Sequence, residues 1–96
     1  MKQFSLLTTE KDKCFLCGVM NCIEHHHIFG GANRKKSTVY GLVVPLCAEH
    51  HRGQTGVHMQ PNKGLDLHLK KLAQEKFEAH IGARNEFIRV FGKSYL

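Results

Sequence analysis

Two pairs of metal-ligating side chains, each with a two-residue spacer, stand about thirty positions apart: Cys14-x2-Cys17 and Cys47-x2-His50. They bracket the run His25-His26-His27, and His51 follows the second pair directly. A two-residue spacer lets one tight turn present two ligands, and zinc takes four N or S donors at tetrahedral corners. One ion closed by both pairs would tie two distant segments together, a stronger constraint than any apolar pattern in the chain. A third pair, Cys22-x2-His25, leaves a local alternative in which Cys14, Cys17, Cys22 and His25 form a small knuckle and Cys47 is free. The long-range quartet is favoured because it staples the two ends of a hairpin, and Cys22 is then expected to be a buried thiol.

With 96 residues the chain is expected to form one domain, near the size at which an apolar core alone gives marginal stability. Structural zinc contributes about 10–16 kcal/mol in small finger peptides, enough to change that balance. The composition, 42% hydrophobic with no Trp and two Pro, is globular rather than disordered. Paired Cys and His at metal spacing favour ligation over two disulfides, and the short apolar stretch at the N-terminus does not read as a secretory signal. A reducing, cytoplasmic setting is therefore expected. No run approaches the roughly 20 apolar residues of a membrane span. A formal charge of +6 points to anionic partners, nucleic acid before membrane surface.

Along the chain, residues 1–13 read as a polar lead-in and 14–22 as a zinc-knuckle turn. His25 to Phe29 is a strand candidate ended by Gly30-Gly31. Residues 32–37 read as a basic loop, and the β-branched, apolar stretch 38–46 as a second strand with Pro45 near its end. Ala48 to Arg52 fits a short helix halted by Gly53 and Gly56. Leu65, Leu69, Leu72, Ala73, Phe77 and Ile81 recur at helical steps up to Gly82. A last helix over 84–91 presents Phe87, Ile88 and Phe91 and ends at Gly92. The expected fold class is α+β.

Neighbouring strand residues face opposite sides, so His26 and His27 are expected to have different roles. If the zinc is closed elsewhere, these imidazoles and His51 suggest a second, open metal site for hydrolysis of a polyanion. The ordered set Cys14-x2-Cys17, His26-His27-Ile28 and Val44-Pro45-Leu46-Cys47-x2-His50-His51 resembles the HNH endonucleases, the ββα-metal nucleases, and in particular their small phage-type members. The resemblance covers about residues 14–58. It implies a ββα-metal core there, with residues 65–92 as C-terminal helices of the same 1–96 domain.

The resemblance also implies roles, position by position. His26 matches the catalytic-metal ligand that opens the family's strand element, His27 the general base, and His51 the residue completing the metal site after the last zinc ligand. His50 stands where the family commonly has cysteine, which zinc tolerates. The family's middle Asn, which braces the loop orienting the base, has no counterpart at Tyr40, Gly41 and Leu42. An imidazole with a pKa near 6.5 suits proton abstraction near pH 7. An all-imidazole site is expected to prefer Mn2+, Ni2+, Co2+ or Zn2+ over Mg2+. His58 is open between a third metal ligand, a phosphate contact and a plain surface residue. His68 and His80 read as surface residues, and His25 has no assigned role.

Arg34, Lys35 and Lys36, on the loop beside the metal-bearing strand, and Arg52 after His51 are the expected phosphate contacts to DNA. Lys63, Lys70, Lys71 and Lys76 read as the wet face of the C-terminal helix. No base-reading helix is evident, so low sequence specificity is expected. A non-catalytic, zinc-stabilised DNA-binding accessory protein and a purely structural zinc domain are the competing classes.

Overall fold

A computed structural model describes residues 4–54 and 56–96. The first three residues of the lead-in, and Thr55 in the segment before His58, lie outside the described residues. Strand β1 (Ile23–His27) pairs antiparallel with β2 (Val43–Cys47), and His26 stands opposite Val44. Four helices follow or intervene: α1 (Arg34–Tyr40), α2 (Ala48–Arg52), α3 (Gly64–His80) and α4 (Arg84–Phe91). Short 3-10 turns lie at Gly31–Asn33 and Val57–Met59. The domain is α+β, a two-stranded sheet with helices.

The main departure from expectation lies between the strands. Residues 34–40 are helical, whereas the sequence predicts a loop over 32–37 and one strand over 38–46. The physical reason lies just past the helix end. Gly41 adopts a left-handed conformation (φ 72°), its N–H donates to Thr38 O, and the Leu42 N–H donates to Ser37 O at 2.8 Å. That hydrogen-bond pair is a Schellman motif, and it stops a helix that the β-branched Thr38 and Val39 disguise. Val39 is exposed on that helix, and strand pairing starts only at Val43. β1 also begins and ends two residues earlier than expected, although the Ile28 N–H still donates to Leu42 O.

The core is built around an aromatic cluster. Phe29, Phe77, Phe87 and Phe91 form one aromatic cluster, with ring centroids 4.6 Å apart for Phe29 and Phe91 and 5.2 Å for Phe77 and Phe87. Leu42, Val44, Leu46, Leu69 and Ala73 pack with it. α3 buries Leu69, Ala73 and Phe77 as the periodicity predicts, but Ile81 is exposed. α4 buries Phe87, Val90 and Phe91, so Val90 replaces the expected Ile88, which is exposed. No helix among the described residues is long and apolar enough to cross a membrane.

Candidate metal centres

The turn after Cys14 is closed by Gly18, whose N–H donates to Cys14 O at 2.9 Å, and it presents Cys14 and Cys17 on one side. The Phe15 N–H donates to Pro45 O at 2.8 Å, holding that turn against the end of β2. Cys47 ends β2, and His50 lies one turn into α2. The four donor atoms lie within 4.8 Å of one another. Cys14 Sγ is 3.6 Å and Cys47 Sγ 3.2 Å from His50 Nδ1, while the Cys17 and Cys47 sulfurs are 3.9 Å apart. Donors around tetrahedral zinc, at its usual bond lengths, are separated by about 3.5–3.8 Å, so this Cys3His group fits a structural metal.

Burial opposes ionisation of the Cys14 thiol, yet the backbone N–H groups of Cys47, Cys17 and Leu16 hold it down at about 6. A thiol in that state is a ready zinc ligand. All four cysteines are unbridged. Cys22, expected to be buried, is exposed and stands outside the quartet, as does His25; the local knuckle is not formed.

A second group lies on the other side of α2. His26 from β1, His51 from α2 and His58 from the 3-10 turn bring their ring nitrogens within 4.8 Å of one another. Ring centroids are 5.1 Å apart for His26 and His51, and 4.6 Å for His51 and His58. His51 Nε2 and His58 Nε2 face each other at 3.0 Å. Gly56 permits this approach: a Cβ there would meet the Glu49 and His50 carbonyl oxygens at 2.7 and 2.9 Å. His58, left open by the sequence, therefore joins the cluster; the turn that delivers it has no periodic signature.

Two observations test whether a cation fits this group. His26 Nε2 is fully buried and has no hydrogen-bond partner among the described residues. Burial first, and then the neighbouring His51 and His58, push His26 down to about 3, so its ring stays neutral with a lone pair to offer. His51 Nδ1 donates to Glu24 Oε1 at 2.7 Å, which leaves Nε2 as the lone-pair nitrogen turned to the cluster. A carboxylate behind a ligating imidazole is the usual device for fixing its tautomer. The donor set suits a borderline divalent ion better than Mg2+.

His27 belongs to neither group of ligands. It lines a cavity of about 250 Å³ together with His26, His51, His58 and Arg34. Desolvation, then the charge of Arg34, lowers its pKa and keeps it neutral near pH 7. Among the described residues, no Asn side chain braces the strand exit after His27. Ser37 on α1 does so instead: its buried hydroxyl donates to Phe29 O at 2.7 Å and accepts from Phe29 N–H at 3.0 Å.

The four basic residues expected to meet phosphate fare differently. Arg34 lines the histidine cavity, and Lys35 is exposed on α1. Lys36 Nζ donates to Val90 O at 2.8 Å, which uses it as a link to the last turn of α4. Arg52 grips Glu24 through two nitrogens, with Nη2 2.6 Å from Oε2, and that guanidinium first, then His51, holds Glu24 down at about 2. Arg52 thus anchors the carboxylate behind His51. Lys70 is also not on the wet face of α3: it is largely buried against Asp66.

No family model, curated protein or solved structure matches the chain.

Proposed function

We propose that this chain is an HNH-type ββα-metal endonuclease that hydrolyses phosphodiester bonds in DNA with low sequence specificity. The observation that carries the reading is the convergence of His26, His51 and His58 around a buried, unpartnered nitrogen, with His27 beside them and outside both ligand groups.

In this reading His26, His51 and His58 hold a divalent cation, Mn2+, Ni2+ or Co2+ in preference to Mg2+, and the Cys3His group holds structural zinc. When bound, the catalytic cation supplies charge neutralisation on the phosphate and the departing 3′ oxygen. His27 takes the proton from the attacking water, which a neutral imidazole does well near pH 7. Arg34 offers its guanidinium to the phosphate across the same cavity. Glu24, clamped by Arg52, keeps the His51 ring turned toward the cation. Ser37 fixes the backbone two residues beyond His27. Four unbridged thiols suit a reducing compartment, and the working site of such an enzyme is the cytoplasm of a bacterial or phage-infected cell.

Nicking of supercoiled plasmid by zinc-loaded protein with added Mn2+ or Ni2+ tests the proposal. His27→Ala should cut the rate by about 10²–10⁴-fold with zinc content and fold unchanged, the usual worth of a general base. DNA binding with no metal-dependent cleavage would identify a binding module instead. Absence of both would leave a structural zinc domain.

A further inference from the structure

Lys70 lines this cleft, and the endonuclease reading gives it no role. Its ammonium is 2.9 Å from Asp66 Oδ2 and donates to Asn62 Oδ1 at 2.7 Å. Asp66 is fixed in turn by the Asn62 N–H at 2.6 Å. The pair is largely removed from water, with side-chain exposures of 13% for Lys70 and 8% for Asp66. Two buried charges on a small domain cost desolvation that their attraction does not reliably return, so such a pair is weak support for stability.

The surroundings suggest a different use. Lys70 and Asp66 line a cavity of about 240 Å³ whose other walls include His26, His27 and His58. The cavity that Arg34 lines shares those three histidines, and it also shares Gly30 and Gly31. A Cβ at either glycine would meet nothing within 4 Å, so the floor joining the two cavities is open to an approaching strand. An ammonium carries three N–H groups; the two acceptors named above engage two of them, and the Tyr95 ring lies 5.6 Å from Nζ as a weaker neighbour.

We propose that Lys70 is a second phosphate-binding group of the cleft, receiving a backbone phosphodiester of the bound DNA in the cavity that Arg34 does not line. The inference rests on the endonuclease reading. Asp66 and Asn62 pre-position the ammonium, so little side-chain freedom is lost when a phosphate arrives. Arg34 and Lys70 then hold the strand at two points, with the histidine cluster between them.

The test is the salt dependence of DNA binding by the full chain carrying His27→Ala, zinc-loaded and with Mn2+, so that the duplex is held and not cut. Adding Lys70→Gln should reduce the slope of log K against log salt by about 0.9, the value for one phosphate contact, or about eightfold in affinity at 0.1 M salt. Lys70→Arg should retain the slope. Lys76→Gln, on the exposed face of the same helix, should leave it unchanged. If Lys70→Gln does not fold, Asp66→Asn with Lys70→Gln removes both charges together and is read in the same way, against Asp66→Asn alone. An unchanged slope on losing Lys70, or an equal fall in Lys76→Gln, overturns the proposal while plasmid nicking by the unmodified chain still stands. Failure of the parent protein both to bind and to nick DNA overturns Lys70 and the endonuclease reading together.

Discussion

Replacing Cys47 with Ser should unfold the domain, and the size of the effect follows from the geometry. A domain of 96 residues has a net stability of about 5–14 kcal/mol at typical values per residue. Structural zinc in small peptides is worth about 10–16 kcal/mol, as much as that whole margin or more. Cys47 is the donor that links the Cys14–Cys17 turn to the end of β2, with its sulfur 3.9 Å from Cys17 Sγ and 3.2 Å from His50 Nδ1. A hydroxyl in its place lengthens the contact and loses thiolate charge, so the tightly held ion should be lost. At about 4–8 °C per kcal/mol for a domain of this size, loss of even half the zinc contribution abolishes the cooperative melt above room temperature. The assay pairs metal content of chelator-washed protein with thermal melting by circular dichroism. Cys22→Ser is the control, because Cys22 is exposed and outside the quartet, and it should shift stability by about 0.5 kcal/mol or less. A Cys47→Ser protein that keeps one zinc and a sharp melt, with Cys22→Ser losing both, would refute the long-range staple.

Glu24→Gln should weaken the second metal site by about 10–100-fold, measured by calorimetric titration of Mn2+ or Ni2+, with the tightly held zinc undisturbed. Ser37→Ala leaves the Phe29 N–H and C=O without their buried partner, so urea melts should show a loss of about 1–3 kcal/mol; nicking should slow as His27 loses its fixed backbone. Glu78 is held below its usual range by the Gln74 amide and then by Arg84. The stabilisation from that lowered pKa is therefore present above the unfolded value near 4.5 and is lost as pH falls through the folded value. The melting temperatures of the wild type and Glu78→Gln should accordingly converge as pH is taken below 4.5, and equal differences at pH 7 and at acid pH would contradict the assignment.

Much of the metal architecture was legible because ligand spacing is a local, discrete signal. Cys14, Cys17, Cys47 and His50 are brought together as their spacing predicts, and His26 and His51 meet between β1 and α2. The C-terminal helices followed from period and from their stop signals at Gly82 and Gly92. What was missed is long-range or non-periodic. α1 is hidden because Thr38, Val39 and Tyr40 have strand-like propensity and the basic residues before them read as a loop; the Gly41-Leu42 ending that favours a helix is the available clue. Charge and position alone make Lys36 and Arg52 expected phosphate contacts and Lys70 part of a solvent-facing surface. Their partners Val90, Glu24 and Asp66 depend on tertiary packing, or, for Lys70, on which side of α3 meets the cleft. His58 had no helix or strand to set its direction, and only the close seat of Gly56 against α2 delivers it.

Adjacent residues of the five-residue α2 belong to different groups: His50 faces the cysteine sulfurs and His51 the imidazoles. In the proposed reading, the first group's ion would therefore also steady the second group. Without an ion on the Cys3His group, α2 keeps its packing and the contacts of His51 and Arg52 with Glu24 but loses its tie to the Cys14–Cys17 turn, so the second group would be held less firmly. If the chain is the proposed nuclease, zinc supply during synthesis would then limit how much of it recruits its exchangeable partner, and starvation for one element would slow a reaction that runs on another.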